Sequence, residues 1–458
     1  MERASLRRLL SFRSLISLAL AGSLAAASAC GDRSSGTSTG AGPSTEAPSA
    51  SASAATSASA SAASTSTDPD PKRGAELVVK FECARCHDGL KRASPIPLPA
   101  STAEPVFNIG KPDNQHCFHC HAEILAGRYS GPSPSVTERW KANVEHLREV
   151  PSLTGTHQRF RRAWIESFLA KPHDLRPRLA PTMPRLALSP AQIRDIAAFL
   201  VPEEKPAADP PAPSKEVVRE GRAIFENKGC PACHTMSGTG PLRGGTAPTK
   251  GERNLTPAMR LAPDLRHTRD RMALATIKTW VQKPQSIKSD TLMPETPMSD
   301  DDAEKIASFL IGEPLSPEEL PKMPTRLPVL ERHVSYQELR DRLFNKICWH
   351  CHSDEDYAIG DGGPGNTGGF GFTPRGLNLA AYDGILSGSI DDEGERRSIF
   401  TPMPDGTPRL VAALVARWLE EAGKEDPAIR GMPLGMPALS AEDVQLVETW
   451  IAQGHSPD

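Results

Sequence analysis

The chain has 458 residues, of which 38% are hydrophobic and only 5% aromatic, and it carries 44 prolines where ordinary usage of about 5% would give roughly 23. This length suggests about three domains rather than one large core, and a chain so rich in proline and poor in aromatics must leave much of itself unfolded or borrow core material from something bulky and apolar. A net charge of −3 gives no general basic footprint for nucleic acid, and past the N-terminus no apolar stretch approaches the roughly 18 to 20 residues of a membrane-spanning helix.

Residues 1–30 read as a lipoprotein signal peptide. A basic start (Arg3, Arg7, Arg8, Arg13) leads through an apolar stretch, Leu15 to Ala21, into small residues. The end, Ala27-Ser28-Ala29-Cys30, resembles a bacterial lipobox, with Ala27 where that family usually has Leu. Ordinary cleavage near an Ala-x-Ala site is the alternative. Lipidation of Cys30 would hold an exported protein stably at a membrane, since two or more acyl chains suffice for that. The resemblance also bears on the leaflet. The inner-membrane retention signal of some bacteria is an Asp directly after the cysteine; Gly31 stands there and Asp32 comes one position late. That points to the outer membrane, facing the periplasm or the cell surface. Residues 31–71 are almost entirely Ser, Ala, Thr, Gly and Pro, which cannot bury enough apolar area to offset chain entropy, and they read as a disordered tether.

The eight remaining cysteines fall in four pairs, each followed directly by histidine: Cys83-Ala84-Arg85-Cys86-His87, Cys117-Phe118-His119-Cys120-His121, Cys230-Pro231-Ala232-Cys233-His234 and Cys348-Trp349-His350-Cys351-His352. This is the spacing of c-type haem attachment. Two thiols three positions apart on a helical turn reach the two vinyl groups of one porphyrin, and the adjacent histidine (His87, His121, His234, His352) becomes the proximal iron ligand. Structural zinc also uses paired cysteines, and an even number in an exported protein permits disulfides. Neither explains four adjacent histidines. The chain therefore resembles the multihaem c-type cytochromes, which implies four covalently attached haem c groups and redox proteins as partners.

Pro-rich breaks at Val201 to Pro213 and Gly312 to Pro328 divide the mature chain into residues 72–204 with two motifs, and 205–314 and 315–458 with one each. The first two segments share an order of features. Gly74 and Gly221 each lie nine residues before the first cysteine, at Cys83 and Cys230. Each segment then has a Pro-x-Leu (Pro151-Ser152-Leu153; Pro263-Asp264-Leu265), a Trp-bearing helix (Trp164; Trp280) and a Met-Pro (Met183-Pro184; Met293-Pro294). A Ser-initiated last helix follows, with Met183 to Phe199 and Met293 to Phe309 both 16 residues apart. This order resembles the class I cytochrome c fold, so the expected architecture is all-α: three tandem cytochrome c class I-like domains after the signal and tether. In that family the proline carbonyl orients the proximal histidine, a role that would fall to Pro151 and Pro263. Haem itself would supply the apolar bulk that the composition lacks.

Met183 and Met293 are the expected distal iron ligands; thioether opposite histidine raises the potential and closes the iron. The first segment has two haem motifs and only one such methionine. The helix from Gly74 leads directly into Cys83, which gives Met183 to the first motif. Yet the 62 residues from His121 to Met183 lie close to the 59 from His234 to Met293, which argues for the second. With the first assignment the Cys117 haem takes another ligand, for which His146 is chosen, with His157, His116, His119 and His173 in reserve.

The third segment diverges most. Leu339 stands where the others have glycine, and Gly376-Leu377-Asn378-Leu379 resembles the Gly-Leu-x-Leu segment of a divergent bacterial cytochrome c group. Its distal candidates are Met432, with Met436 and Met403 behind it. Charge is uneven: residues 72–204 carry +5, 205–314 carry +2 and 315–458 carry −10. Such fields steer different redox partners to the two ends, or are ordinary solvated surface. The expected function is an electron carrier that passes single electrons between periplasmic or membrane redox partners without bond chemistry of its own, and no catalytic residue is assigned. The alternatives are a haem enzyme of dihaem-peroxidase type with one open iron, or the cytochrome subunit of a dehydrogenase or reductase complex.

Overall fold

Serine residues start the helices that close each segment. Ser189 Oγ accepts from Gln192 N–H while the Gln192 side chain returns the bond to the Ser189 N–H, which closes a capping box at the start of α4 (Pro190–Leu200). Ser299 and Ser440 accept from Asp302 and Asp443 N–H and start α7 (Asp300–Gly312) and α9 (Ala441–Ala452), both with acidic residues in the first turn, where the helix dipole favours them. The helices that open or cross the segments are α1 (Pro71–Lys80), α2 (Pro134–Val144), α3 (Arg162–Ala170), α5 (Lys215–Asn227), α6 (Leu274–Gln282) and α8 (Arg409–Glu421). Among the described residues the only paired strands form one small antiparallel ribbon, Ser389–Ile390 with Arg396–Arg397. Among the described residues the fold is all-α apart from this ribbon, consistent with what the resemblance leads one to expect.

This computed structural model describes residues 68–87, 89–90, 124–127, 133–144, 150–173, 175–179, 183–202, 211–248, 255–349, 351–353, 369–373, 375–424, 426 and 428–458. The signal peptide, Cys30, the tether, the Cys117 to His121 motif and His146 lie outside them. Among the described residues no helix is long and apolar enough to cross a membrane.

The first and middle segments are built around the same crossing. At Gly74, α1 meets α4 so closely that a Cβ would lie 2.0 Å from the Asp195 carbonyl oxygen, and at Gly221, α5 meets α7 with 1.9 Å to that of Lys305. Only glycine permits either approach. Around the second crossing Phe225 packs on Phe309, ring centroids 5.4 Å apart, in a core that includes Val218, Ile277 and Ile306. The first segment has a smaller cluster of Trp164, Ile165, Ala197 and Val201.

In the third segment the glycine position is filled by Leu339, which is fully buried. The lead-in to the motif is a helical turn, Tyr336–Leu339, that runs into a π-helical stretch, Arg340–Cys348. The extra helix α8 and a cluster of aromatics replace the close crossing. Trp450 on α9 lies 6.0 Å from Tyr336, 6.3 Å from Phe344 and 5.8 Å from Phe400. These three cores lie within one contact-connected unit, Thr65–Asp458.

Candidate functional site: the cysteine pairs and the loops beneath them

Each described motif is a single closed turn. The Cys83 carbonyl accepts from the N–H groups of Cys86 at 3.3 Å and His87 at 2.9 Å; Cys230 does the same with Cys233 and His234 at 3.2 and 3.0 Å, and Cys348 with Cys351 and His352 at 3.2 and 3.0 Å. Two of the turns are entered through a left-handed residue, Glu82 (φ 50°) and Gly229 (φ 76°).

Among the described residues no cysteine forms a disulfide. Burial pushes the Cys83 thiol up to about 11 and the Cys348 thiol up to about 12, and raises that of Cys230. Among the described residues no cluster of three or more His, Cys, Asp and Glu is arranged to hold a metal ion.

The histidines are oriented from below. His87 Nδ1 donates to the Pro151 carbonyl at 2.8 Å and His234 Nδ1 to that of Pro263 at 2.9 Å, the bonds that the resemblance implied. Each fixes the tautomer and turns Nε2 toward the face where an iron would sit. Burial lowers the pKa of His234, opposed by the bond to Pro263, so the ring is a neutral donor of the kind a metal needs. The orienting loop is itself tied down by the residue after the proline. Asp264 accepts from Arg266 N–H at 2.8 Å and Ser152 Oγ from Thr154 N–H at 3.2 Å.

The third segment reproduces this loop with different residues. Asn378 Oδ1 accepts from Ala380 N–H at 2.9 Å, and Leu379 N–H donates to the His352 carbonyl at 2.6 Å, as Leu265 N–H does to that of Thr235 at 2.8 Å. Leu377 therefore stands where the others have proline. Its carbonyl faces His352 Nδ1 at a geometry too loose for a hydrogen bond, and that nitrogen is buried without a partner. Proline fixes φ at this position and leucine does not. Burial pushes His352 down to about 4.

Two arginines complete the loops and were not singled out from the sequence, although both stand eight residues after the proline. Arg159 is buried and its guanidinium donates to the carbonyls of Ser152 and Thr154 at 3.0 and 3.1 Å. Arg271 has a buried Nε without a partner, and burial together with Arg159 pushes it down to about 10. Two neighbouring buried cations fit an anionic group, and haem c carries two carboxylates. Paired thiols, oriented imidazoles and the unpartnered Arg271 Nε together fit the cofactor.

Of the distal candidates, Met293 has a defined partner: the Trp280 indole N–H donates to its sulfur at 3.1 Å. Met183 is half-buried in the loop before α4, and Met432 packs against the third core, its N–H bonded to the Ala413 carbonyl at 2.9 Å. His173, one of the reserve ligands, is instead enclosed by Trp164, Phe168 and His267, with ring centroids 4.8 to 5.5 Å away. His157 is exposed. The Cys117 motif and its candidate ligand His146 lie outside the described residues.

Residues 218–311 match the family model of cytochrome c. Cytochrome c oxidase subunit 2 of Alkalihalophilus pseudofirmus is 30% identical over 105 residues, which are 23% of this chain and 28% of that relative, so the chain spans little more than a quarter of its length. No solved structure matches. Residues 218–311 are thus similar to a cytochrome c domain, a kind of domain that holds covalently bound haem c.

Proposed function

We propose that this chain is a tetrahaem c-type cytochrome made of three cytochrome c-like domains, a lipoprotein anchored through Cys30, that passes single electrons between periplasmic or membrane redox partners. The observation that carries this reading is the repetition, outside the matched residues 218–311, of the same closed Cys-x-x-Cys-His turn in the first and third segments, resting on the same kind of loop. The same spacing at Cys117 extends it to a fourth haem.

Haem c supplies a one-electron iron couple. The rest is the protein's work. Each cysteine pair fixes the ring covalently, and Pro151 and Pro263 hold the proximal histidines through hydrogen bonds that raise their basicity. Arg159 and Arg271 would offset the negative charge of haem carboxylates. Met183, Met293 and Met432, with His146 at the Cys117 haem, would close the far face and leave no position for a small ligand. The +5 of residues 72–204 and the −10 of residues 315–458 would draw oppositely charged partners to the two ends, in a salt-dependent way.

Carbon monoxide tests this reading, because it binds only a reduced iron with an open position. The visible spectrum of the dithionite-reduced protein should not change on its addition. A shift amounting to one haem would instead support an enzyme with an open site, and single-motif variants would show which one.

A further inference from the structure

The seams between segments are formed by the haem-holding loops themselves. Peptide 263–264 uses both of its polar groups: the Pro263 carbonyl accepts from His234 Nδ1 at 2.9 Å, and the Asp264 N–H donates to the Leu175 carbonyl at 2.8 Å. Leu175 packs against the core of the first segment. Two hydrogen bonds and one peptide therefore join the proximal ligand of the middle motif to the first segment. A second backbone bond runs from Arg161 N–H to the Arg271 carbonyl at 2.9 Å, and the Phe160 ring lies between the guanidiniums of Arg159 and Arg271, each 4.9 Å from its centroid.

The third segment also packs on the first. Trp349, inside the third motif, lies 6.5 Å from Trp140 on α2. Phe370 N–H donates at 3.0 Å to the carboxylate of Glu82, the residue before Cys83, and the Phe81 ring lies against Gly371, where a Cβ would come within 2.6 Å. Lys171 Nζ reaches the Gly423 carbonyl at 3.1 Å. Among the described residues the hydrogen bonds between the middle and third segments lie at their boundary, where Ser316 N–H donates to the Gly238 carbonyl at 2.7 Å and the Arg266 guanidinium to the Ser316 carbonyl at 2.9 Å.

We propose that the first segment is the junction of the electron path, so that electrons pass between the middle and third motifs through it, in the order middle, first, third rather than in chain order. This rests on the electron-carrier reading above. Each step moves one electron from a ferrous to a ferric iron, with no bond made or broken and no proton transferred. Packed rings and short hydrogen bonds couple two centres better than a gap does, and among the described residues such contacts join the first segment to the motif or motif-holding loop of each neighbour, whereas the hydrogen bonds between the middle and third segments stop at Ser316, far in sequence from the third motif.

The test injects an electron at the third segment and follows where it goes. A ruthenium photosensitiser is attached to a cysteine introduced in the exposed turn of the ribbon (Glu393→Cys), and freeze-quenched electron paramagnetic resonance reads each haem, with signals assigned from single-motif variants. In the full chain, and equally in the variant without the middle haem (Cys230→Ala with Cys233→Ala), the electron should reach the first segment. Arrival in the full chain but loss in that variant would mean transfer in chain order and would overturn the proposal. If the full chain shows no transfer between haems at all, the electron-carrier reading fails, and the proposal with it. Trp140→Leu in the full chain gives a second test that leaves every motif intact. It should slow arrival at the first segment without changing haem content, and an unchanged rate would also overturn the proposal.

Discussion

The crossings at Gly74 and Gly221 share one geometry and reverse its charges. The residue before Gly74 is Arg73, which grips Asp195 on α4 through Nε and Nη2, both at 2.9 Å, while Asp195 also accepts from Asp70 N–H at 2.8 Å. The residue before Gly221 is Glu220, which pairs at 3.1 Å with Lys305 at the matching position on α7, and Lys305 pairs also with Asp301 at 2.8 Å. Backbone contact thus dictates glycine at both sites, whereas either sign of ion pair serves at the rim. The third segment keeps neither device and fills the same place with Leu339 and an aromatic cluster.

Exchanging the small and large residues at these crossings should have the largest effects. Leu339→Ala would leave a cavity in a fully buried position and should cost about 2–5 kcal/mol, whereas Gly221→Ala would force a methyl group into the Lys305 backbone and should cost about 1–3 kcal/mol. Denaturant unfolding followed by circular dichroism measures both. If Gly221→Ala proved neutral, the close crossing would be wrong.

The rim pairs should follow, unequally. Asp195 is buried and its loss leaves the Asp70 N–H unpaired, so Asp195→Ala should cost roughly 1–2 kcal/mol. Lys305→Ala, at a more open pair, should cost clearly less. The Arg73 guanidinium holds the Asp195 carboxyl below the ordinary carboxylate range. Its stabilisation is therefore complete above the unfolded value near pH 4 and is lost as the pH falls through the lower folded value. Asp195→Asn should remove that acid-side slope, and a slope unchanged from the wild type would show that other carboxylates produce it.

Much of this architecture was legible in local spacing. Cysteine, glycine and Pro-x-Leu positions are set by one tight turn, one crossing helix and one orienting loop, so they recur at constant intervals and survive as pattern. What the sequence hid is of two kinds. Some signals were present but unremarked, such as Arg159 and Arg271 eight residues after each proline. Leu377 carries no proline to mark it, and only the turn at Asn378, matching that at Asp264, reveals its place. Other contacts have no local signature. Trp140 with Trp349, or Phe160 between two arginines, bring together residues whose separation in the chain leaves no period to read.

The smallest effect expected concerns Trp280. By its distance from the proline that ends each loop helix, Phe168 before Pro172 matches Trp280 before Pro284, and phenylalanine cannot donate to a thioether. The first and middle sites therefore differ in one hydrogen bond to a candidate ligand. Donation draws electron density from the Met293 sulfur and favours the reduced iron, so Trp280→Phe should lower the potential of the middle haem by on the order of tens of millivolts. Redox titration of the variant measures it. No shift would separate Met293 from the iron.

All of these comparisons presuppose that every cysteine pair holds the same cofactor. The most direct measurement is intact-protein mass spectrometry under denaturing conditions, combined with haem quantified per chain by the pyridine haemochrome spectrum. Four covalently attached haems, with one lost in each of the double variants Cys83→Ala/Cys86→Ala, Cys117→Ala/Cys120→Ala, Cys230→Ala/Cys233→Ala and Cys348→Ala/Cys351→Ala, is the result expected. A chain that carries fewer, or whose pairs prove to be disulfides or zinc ligands, would contradict it.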